Sequence, residues 1–597
     1  MSARRVGATP LDRATRFEVW APSAERVEVL IGDGDAAHDL TLGPVDGWDG
    51  ESTWTAIVPE VGAGTRYRYR LDGGDPLPDP ASRAQPDGVH GPSAVVDVAS
   101  FRWTDGGWGG VELADAVLYE AHIGTFTPEG TFDAAIGQLD RLAALGVTLV
   151  EVMPVNAFPG VRNWGYDGVF PFAVQESYGG PTAMARFVDA AHARGLGVVL
   201  DVVYNHFGPE GNVLPRFGPY LTDAYATPWG GAVNVAEAHS DGVRRYCIEN
   251  AVGWVTDFHV DGLRLDAVHA IVDPTATPMV AELTAGVHAA AAAFGRTVLV
   301  TLESSRNDPQ MVRRRAAHGW GADAVWNDDV HHALRVALTG DRHEYYAGYD
   351  GVADLAAALE HRWVYRGQYS PVLRRRHGAP ADDVDFDRFV VFSTNHDHVG
   401  NTPRGERLLH DAGPDDPRRR LAAAVVVLGP CTPMLFMGEE YGERAPFPYF
   451  IDHGDPALVE AVRRGRRSEF SGSDWAGGVA DPATFDAAVL DPGQAATDPH
   501  SGLLAMYTEL LRLRREIGVL TAGDARHEVR RTGNVIVVER SDGSTSATLQ
   551  LNLGPDAAPA VEGDAAFDSA DPRWQGRAAE VPAGHLAPWS ARLVLGH

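Results

Sequence analysis

The chain has 597 residues, 44% of them hydrophobic and 22% charged, an ordinary globular composition too long for one core, so about three domains are expected. Its 51 basic and 81 acidic residues give a net charge of −30, which argues against nucleic acid or an anionic membrane surface as a partner. Every basic residue is arginine, so a lysine Schiff base and a P-loop lysine are excluded, and no apolar run of about 20 residues predicts a membrane span.

Residues 1–100 read as an all-β unit, an immunoglobulin-like β-sandwich. FEVWAP (17–22), VEVLI (27–31), STWTAIVP (52–59), YRYRL (67–71) and AVVDV (94–98) are rich in strand formers and are separated by Gly, Pro and Asp turns. The N-terminal stretch is basic but has no apolar segment of the secretory kind. Two cysteines, Cys247 and Cys431, read as buried thiols in a reducing compartment. Together these predict a cytoplasmic protein.

Residues 101–500 alternate apolar runs with Ala/Arg-rich amphipathic stretches. The runs are AVLYEA (116–121), VTLVEVM (147–153), GVVLDVVY (197–204), VDGLRL (260–265), TVLVTL (297–302), ADAVW (322–326), FVVFST (389–394) and PMLFMG (433–438). Eight strands alternating with helices predict an α/β fold, a (β/α)8 TIM barrel. A long insertion separates the sixth and seventh runs and carries HEYYAGYDGV (343–352). Residues 501–597 open with a helix, Gly502 to Arg515, and continue with short β runs, predicting a C-terminal β-sandwich domain.

Three acids stand just past three of the barrel runs: Asp266 in GLRLDAVH, Glu303 in TLES and Asp397 in NHDHVGN. Parallel strands of a barrel bring their C-terminal ends to one rim, so the acids should meet there. Residues i and i+2 of a strand face the same way, which aims Arg264 and Asp266 together. A guanidinium beside a carboxyl keeps it ionised, which suits a nucleophile. Glu303 ends an apolar run; desolvation raises its pKa, which suits a general acid. Asp397 can stabilise positive charge on a sugar ring, and its neighbour His396 can bond a sugar hydroxyl. A fourth segment, DVVYNH, adds Asp201, Asn205 and His206 after the third strand. Asn and His are natural hydroxyl binders, and Asp201 can pair with a nearby arginine. No HExxH or regular ligand spacing supports a metal. The acids of GEEYGE and NDD are expected to be solvated loop residues.

In this order the four segments DVVYNH, GLRLDAVH, TLES and NHDHVGN resemble the signatures of the alpha-amylase family of glycoside hydrolases. The resemblance spans essentially the whole chain. It implies Asp266 as nucleophile, Glu303 as acid/base and Asp397 as transition-state stabiliser. It also implies Arg264, His206 and His396 around the attacked sugar, with Tyr166 of NWGYDGVFP stacked on it, and Asn205, His269 and Asp201 as further substrate-binding residues. Longer stretches, among them YEAHIGTFTPEGTFDAAI, WNDDVHHAL and FMGEEYGERAPFPYFIDH, look most like the members that release trehalose from maltooligosyltrehalose. That likeness implies this substrate, a maltooligosyltrehalose synthase as pathway partner, a retaining mechanism and no cofactor. The chain departs from that pattern at His398, where Gln is expected, and at Asn401-Thr402-Pro403, where a basic residue is expected. Two rival readings stand beside it: another alpha-glucan enzyme (branching, debranching or amylase), and a non-catalytic glycan-binding scaffold, which should have lost one of the three acids.

Overall fold

The computed structural model describes residues 5–596 apart from 33–35, 46–47, 228–229, 470–477, 524 and 576–580. The first four residues of the basic N-terminal stretch therefore lie outside it. At the N-terminal end two four-stranded antiparallel sheets form a sandwich. One runs Gly7–Leu11, Ala14–Val19, Trp48–Pro59, Thr41–Val45; the other runs Ala36–Asp39, Val27–Ile31, Arg66–Leu71, Ser93–Ala94. Phe17 and Tyr67 meet edge to face between them at 4.9 Å. Of the expected strand AVVDV only Ala94 is paired as a strand; Val98–Ser100 turn as a short 3-10 helix toward the barrel.

The barrel closes from eight parallel strands: β1 (Leu118–Ala121), β2 (Leu149–Val152), β3 (Gly197–Val202), β4 (Gly262–Leu265), β5 (Leu299–Leu302), β6 (Ala324–Trp326), β7 (Phe389–Val391) and β8 (Thr432–Phe436). Each lies within one of the eight apolar runs or overlaps it. All residues of these strands are buried, as expected of a parallel sheet covered by helices outside and packed within. The helices α1 (Phe132–Leu145), α2 (Gly180–His192), α3 (Ser240–Phe258), α4 (Met279–Phe294), α5 (Asp328–Thr339), α6 (Val352–His361) and α7 (Pro417–Leu428) alternate with them. Helix α1 shows how the sequence sets such boundaries. Thr131 accepts from the Ala134 N–H at its start, and Gly146, left-handed at φ 104, ends it.

The sandwich is fixed to α3. Arg245 bonds Glu18 at 2.9 Å and the Tyr246 hydroxyl donates to the Pro80 carbonyl at 2.7 Å, while Trp20 packs edge-on to Tyr220, in the segment ahead of α3, at 5.1 Å. Beyond the barrel, α8 (His500–Glu516) leads into a five-stranded sheet ordered Arg526–Thr532, Val535–Ser541, Ser546–Asn552, Ser590–Gly596, Ala565–Asp568. The buried Arg514 of α8 donates to the carbonyls of Val427, Gly429 and Cys431 at 2.9, 3.0 and 2.8 Å, satisfying the end of α7. Both cysteines are free thiols and buried. Among the described residues no helix is long and apolar enough to cross a membrane.

Candidate active site

The C-terminal ends of β3, β4, β5 and β7 gather the acids around one buried arginine. Arg264 projects from β4, and its Nη1 donates to Asp201 Oδ2 at 2.8 Å and Asp266 Oδ1 at 2.9 Å. Its Nη2 lies 3.0 Å from Glu303 Oε2. Its guanidinium stacks on Trp326 of β6, 4.1 Å from the ring centroid. One rigid, permanently charged fork thus holds carboxyls from three strands in fixed mutual orientation. Arg264 and Asp266 face the same way, as the strand period predicts.

The two acids that share Arg264 end in opposite states. Burial disfavours charge on Asp266, but Arg264, His206 and the Asn205 amide outweigh it and hold the carboxyl below its ordinary range. Asn205 Nδ2 bonds both the Asp266 backbone carbonyl and Oδ2, at 2.9 and 2.6 Å. Glu303 goes the other way. Burial pushes it well above the usual carboxylate range against the pull of Arg264, and the charges of Asp266 and Asp397 push further. Its Oε2 accepts the Ala267 N–H at 2.6 Å. Ala267 reaches that position in a left-handed conformation, φ 39, which is strained for a residue with a Cβ and fixes the turn after Asp266.

Asp397 stands in a short helix, His396–Gly400, whose N-cap Asn395 accepts the His398 N–H. Its side chain is half exposed, receives Asn401 Nδ2 at 3.3 Å and lies 4.0 Å from His396 Nε2. Tyr166 is delivered by a tight turn. Gly165 sits at φ 103, and a Cβ there would come 2.0 Å from the Pro154 carbonyl oxygen. The Tyr166 ring stacks on His396 at 5.2 Å, and its hydroxyl donates to Asp201 Oδ2 at 2.7 Å. Burial raises the Asp201 carboxyl to about 6 although Arg264 opposes it.

The structure therefore brings Asp201, Asn205, His206, Arg264, Asp266, Glu303, His396, Asp397 and Tyr166 to one rim. His269 lies in the adjoining cleft of about 390 Å³, lined also by Asp328, His332 and Tyr345. His206 and His396 have both ring nitrogens engaged within the protein. His206 meets Asn205 and the Tyr166 carbonyl, and His396 meets Glu120 and the Tyr166 hydroxyl. Their bonds are thus to protein groups rather than to free space. Of the aromatic stretch, Tyr346 and Tyr349 are buried and bonded to His331 and Asp329, and Tyr345 alone of the three is half-buried at the cleft.

His398, the departure from the expected Gln, is buried and stacked on His331 at 3.7 Å, and burial keeps it neutral. A cation does reach the stretch where a basic residue is absent: Arg466 donates to Asn401 Oδ1 at 2.8 Å. The expectation that the GEEYGE and NDD acids are solvated is wrong: Asp329 of NDD is buried and accepts from Asn307 and Tyr349. Glu440 is fully buried against Arg141 and Tyr119. Glu443 accepts backbone N–H groups of Arg444, Ala445 and Asp491, and Glu439 accepts from Tyr507 and Ser393. Among the described residues no group of three or more His, Cys, Asp or Glu side chains is placed to hold a metal ion. Sequence reasoning overlooked Glu120 and Glu151, two acids inside the apolar runs of β1 and β2, and Trp326 beneath Arg264.

Comparison with known proteins agrees with this architecture. Residues 5–85 match the family described as carbohydrate-binding module 48, the isoamylase N-terminal domain, and residues 84–216 match the alpha amylase catalytic domain. A malto-oligosyltrehalose trehalohydrolase of Arthrobacter ramosus is 48% identical over 91% of this chain and 94% of its own. Another, of Saccharolobus solfataricus, is 42% identical over 84% and 85%. The crystal structure of a candidate alpha amylase from Salmonella typhimurium superimposes with a TM-score of 0.90 and 37% identity over the whole of both chains. The chain therefore belongs to the malto-oligosyltrehalose trehalohydrolase family, a branch of the alpha-amylase glycoside hydrolases.

Proposed function

We propose that the protein hydrolyses the α-1,4 bond next to the terminal trehalose unit of maltooligosyltrehalose, releasing trehalose and a shortened maltooligosaccharide. The observation that carries the chemistry is the pair of carboxyls on Arg264: Asp266 held ionised and Glu303 held protonated. The substrate follows from the family, whose members' names specify it.

In this reading an Asp266 oxygen attacks the anomeric carbon as the carbon–oxygen bond to the trehalose unit breaks. The Glu303 proton passes to the departing oxygen. A water then attacks the glycosyl-Asp266 ester, giving its proton back to Glu303, and the sugar leaves with its configuration retained. Both acids return to their starting states. Asp397, whose side chain is half exposed, faces the ring as positive charge develops. Arg264, Tyr166, Asn205, His206, His396 and Asp201 form the wall of the attacked sugar's subsite, and His269 lines the adjoining cleft. No step requires a cofactor. The cytoplasm is the compartment that suits two unpaired buried thiols, and a maltooligosyltrehalose synthase would supply the substrate.

Incubation with maltooligosyltrehalose and, separately, with maltoheptaose tests the reading. Trehalose release from the first should far outpace cleavage of the second. Equal cleavage of both, or transfer to longer chains, would place the protein with the amylases or branching enzymes instead. Proton NMR of the first-formed product should show the α-anomer.

A further inference from the structure

Two carboxyls stand side by side on the inner wall of the barrel, and only one has a partner. Glu120 on β1 and Glu151 on β2 are register partners in a parallel pair, so both project to the same face. Each is 1% exposed. Glu120 grips His396 twice: Oε2 accepts the backbone N–H at 2.8 Å, and Oε1 meets ring Nδ1 at 2.6 Å. Neither oxygen of Glu151 has a hydrogen-bond partner among the described residues.

The partners of His396 fix where its protons lie. The Tyr166 hydroxyl has one proton and three neighbours: Asp201 Oδ2 at 2.7 Å, His396 Nε2 at 2.9 Å, and Arg264 Nη1, which can only donate, at 3.5 Å. Asp201 is bonded by Arg264, and as a carboxylate it only accepts. The hydroxyl proton therefore goes to Asp201, and Nε2 must donate to the Tyr166 oxygen. Nδ1 must donate to Glu120. A ring that donates from both nitrogens is an imidazolium. We propose that Glu120 is a positioning residue for the glycosidase site: its carboxylate clamps His396 by backbone and ring and keeps that ring cationic beside Asp397 and under Tyr166.

The surrounding charges leave this task to Glu120. Burial opposes a charge on His396, yet Glu120 overrides it and raises the ring to about 9. Asp397 helps and Arg264 opposes. His122 and His398, also near the ring, are held neutral by burial and add no repulsion. Glu151 is driven well above the carboxylate range by burial and by Glu120, so it is a neutral acid and offers His396 no charge. A continuous line then crosses the barrel mouth from β1 to β4: Glu120, His396, Tyr166, Asp201, Arg264. It fixes the Tyr166 ring and gives the floor of the subsite a positive centre between Asp397 and Asp201.

This inference rests on the hydrolase reading for its meaning, but its first test needs no substrate. In protein labelled with 15N-histidine, the His396 signal is identified by its loss in His396→Gln. In the wild type it should show both nitrogens protonated through neutral pH and titrate near 9. A neutral His396 at pH 7 overturns the proposal even if the enzyme releases trehalose. Absence of trehalose release, with His396 still cationic, sinks the substrate reading alone. In Glu120→Gln the ring should titrate at least about one unit lower, a tenfold weaker hold on its proton. Activity lost in Glu120→Gln should be recovered toward acid pH, where the ring is charged again. In Glu151→Gln the ring titration should stay where it is. A Glu120→Gln enzyme that loses kcat equally at every pH, with His396 titrating as before, shows a merely structural role.

Discussion

Replacing Arg264 by methionine removes the one group that touches Asp201, Asp266 and Glu303, at 2.8, 2.9 and 3.0 Å. Methionine keeps much of the bulk against Trp326, so the change is chiefly electrostatic. Two effects follow with separate readouts. Loss of one partner from a buried ion pair costs about 3–5 kcal/mol of stability, visible as a lower melting temperature. An adjacent arginine depresses a carboxylate by about 1–3 pKa units, so without it Asp266 rises by that amount while burial still pushes upward. Asp266 works as the anion. The acid limb of kcat/KM should therefore move up by about 1–3 pH units, costing roughly 10–10³-fold near the acid end of the wild-type plateau. Glu303 loses the same cation and rises further, so the alkaline limb moves in the same direction. The assay is kcat/KM for trehalose release across both limbs, beside circular dichroism to establish the fold. Arg264→Lys, which keeps a point charge but not the fork, should lie between wild type and Arg264→Met. A folded Arg264→Met enzyme with both limbs unmoved refutes the argument.

Glu303→Gln should lower kcat by about 10²–10⁴-fold, and the loss should shrink sharply on an aryl glucoside whose leaving group needs no proton; equal losses on both substrates would deny Glu303 the role of acid. Tyr166→Phe removes the hydroxyl between His396 and Asp201 and should reduce kcat/KM by roughly 10–100-fold and lower the melting temperature, since two buried charged groups each lose a partner at a cost of about 1–3 kcal/mol; a variant with wild-type kcat/KM would deny the hydroxyl that role. Asp79 tests linkage far from the site. It is buried in the sandwich and burial raises it to about 6, so its contribution to stability is full below the unfolded-state value and lost as pH rises through 6. Asp79→Asn should therefore gain melting temperature relative to wild type between about pH 4 and pH 7. A pH-independent difference between the two would show that the carboxyl does not hold its proton.

Eight apolar runs foretold eight barrel strands because a parallel sheet buried on both faces needs continuous apolar sequence. The same logic concealed Glu120 and Glu151. An acid inside an apolar run signals no partner locally, and the one Glu120 has lies 276 residues away. Strands with other chemistry also escaped. Arg526–Thr532, reading RHEVRRT, is exposed or half-exposed throughout and has no apolar alternation. Gly7–Leu11 and Thr41–Val45 carry Pro10 and Pro44, which read as breakers. The acids Asp266, Glu303 and Asp397 were legible because each follows its strand by a few residues. The reach of Arg264 to Glu303 was not, since it depends on how β4 and β5 align. The burial of the GEEYGE acids depends likewise on Arg141 and on backbone N–H groups that arrive from elsewhere.

The bond from Glu120 to His396 also bears on how the enzyme comes into being. β1 leaves the ribosome long before the residue it clamps, and the ring closes only when β8 pairs with β1. No local segment can assemble a working fragment of the site, because each acid leans on a strand made at another time. The entropy of closing so large a loop must be met before any of those contacts can form. Hydrolytic activity should thus appear as one late event in synthesis, with ribosome-bound chains silent until β8 has emerged.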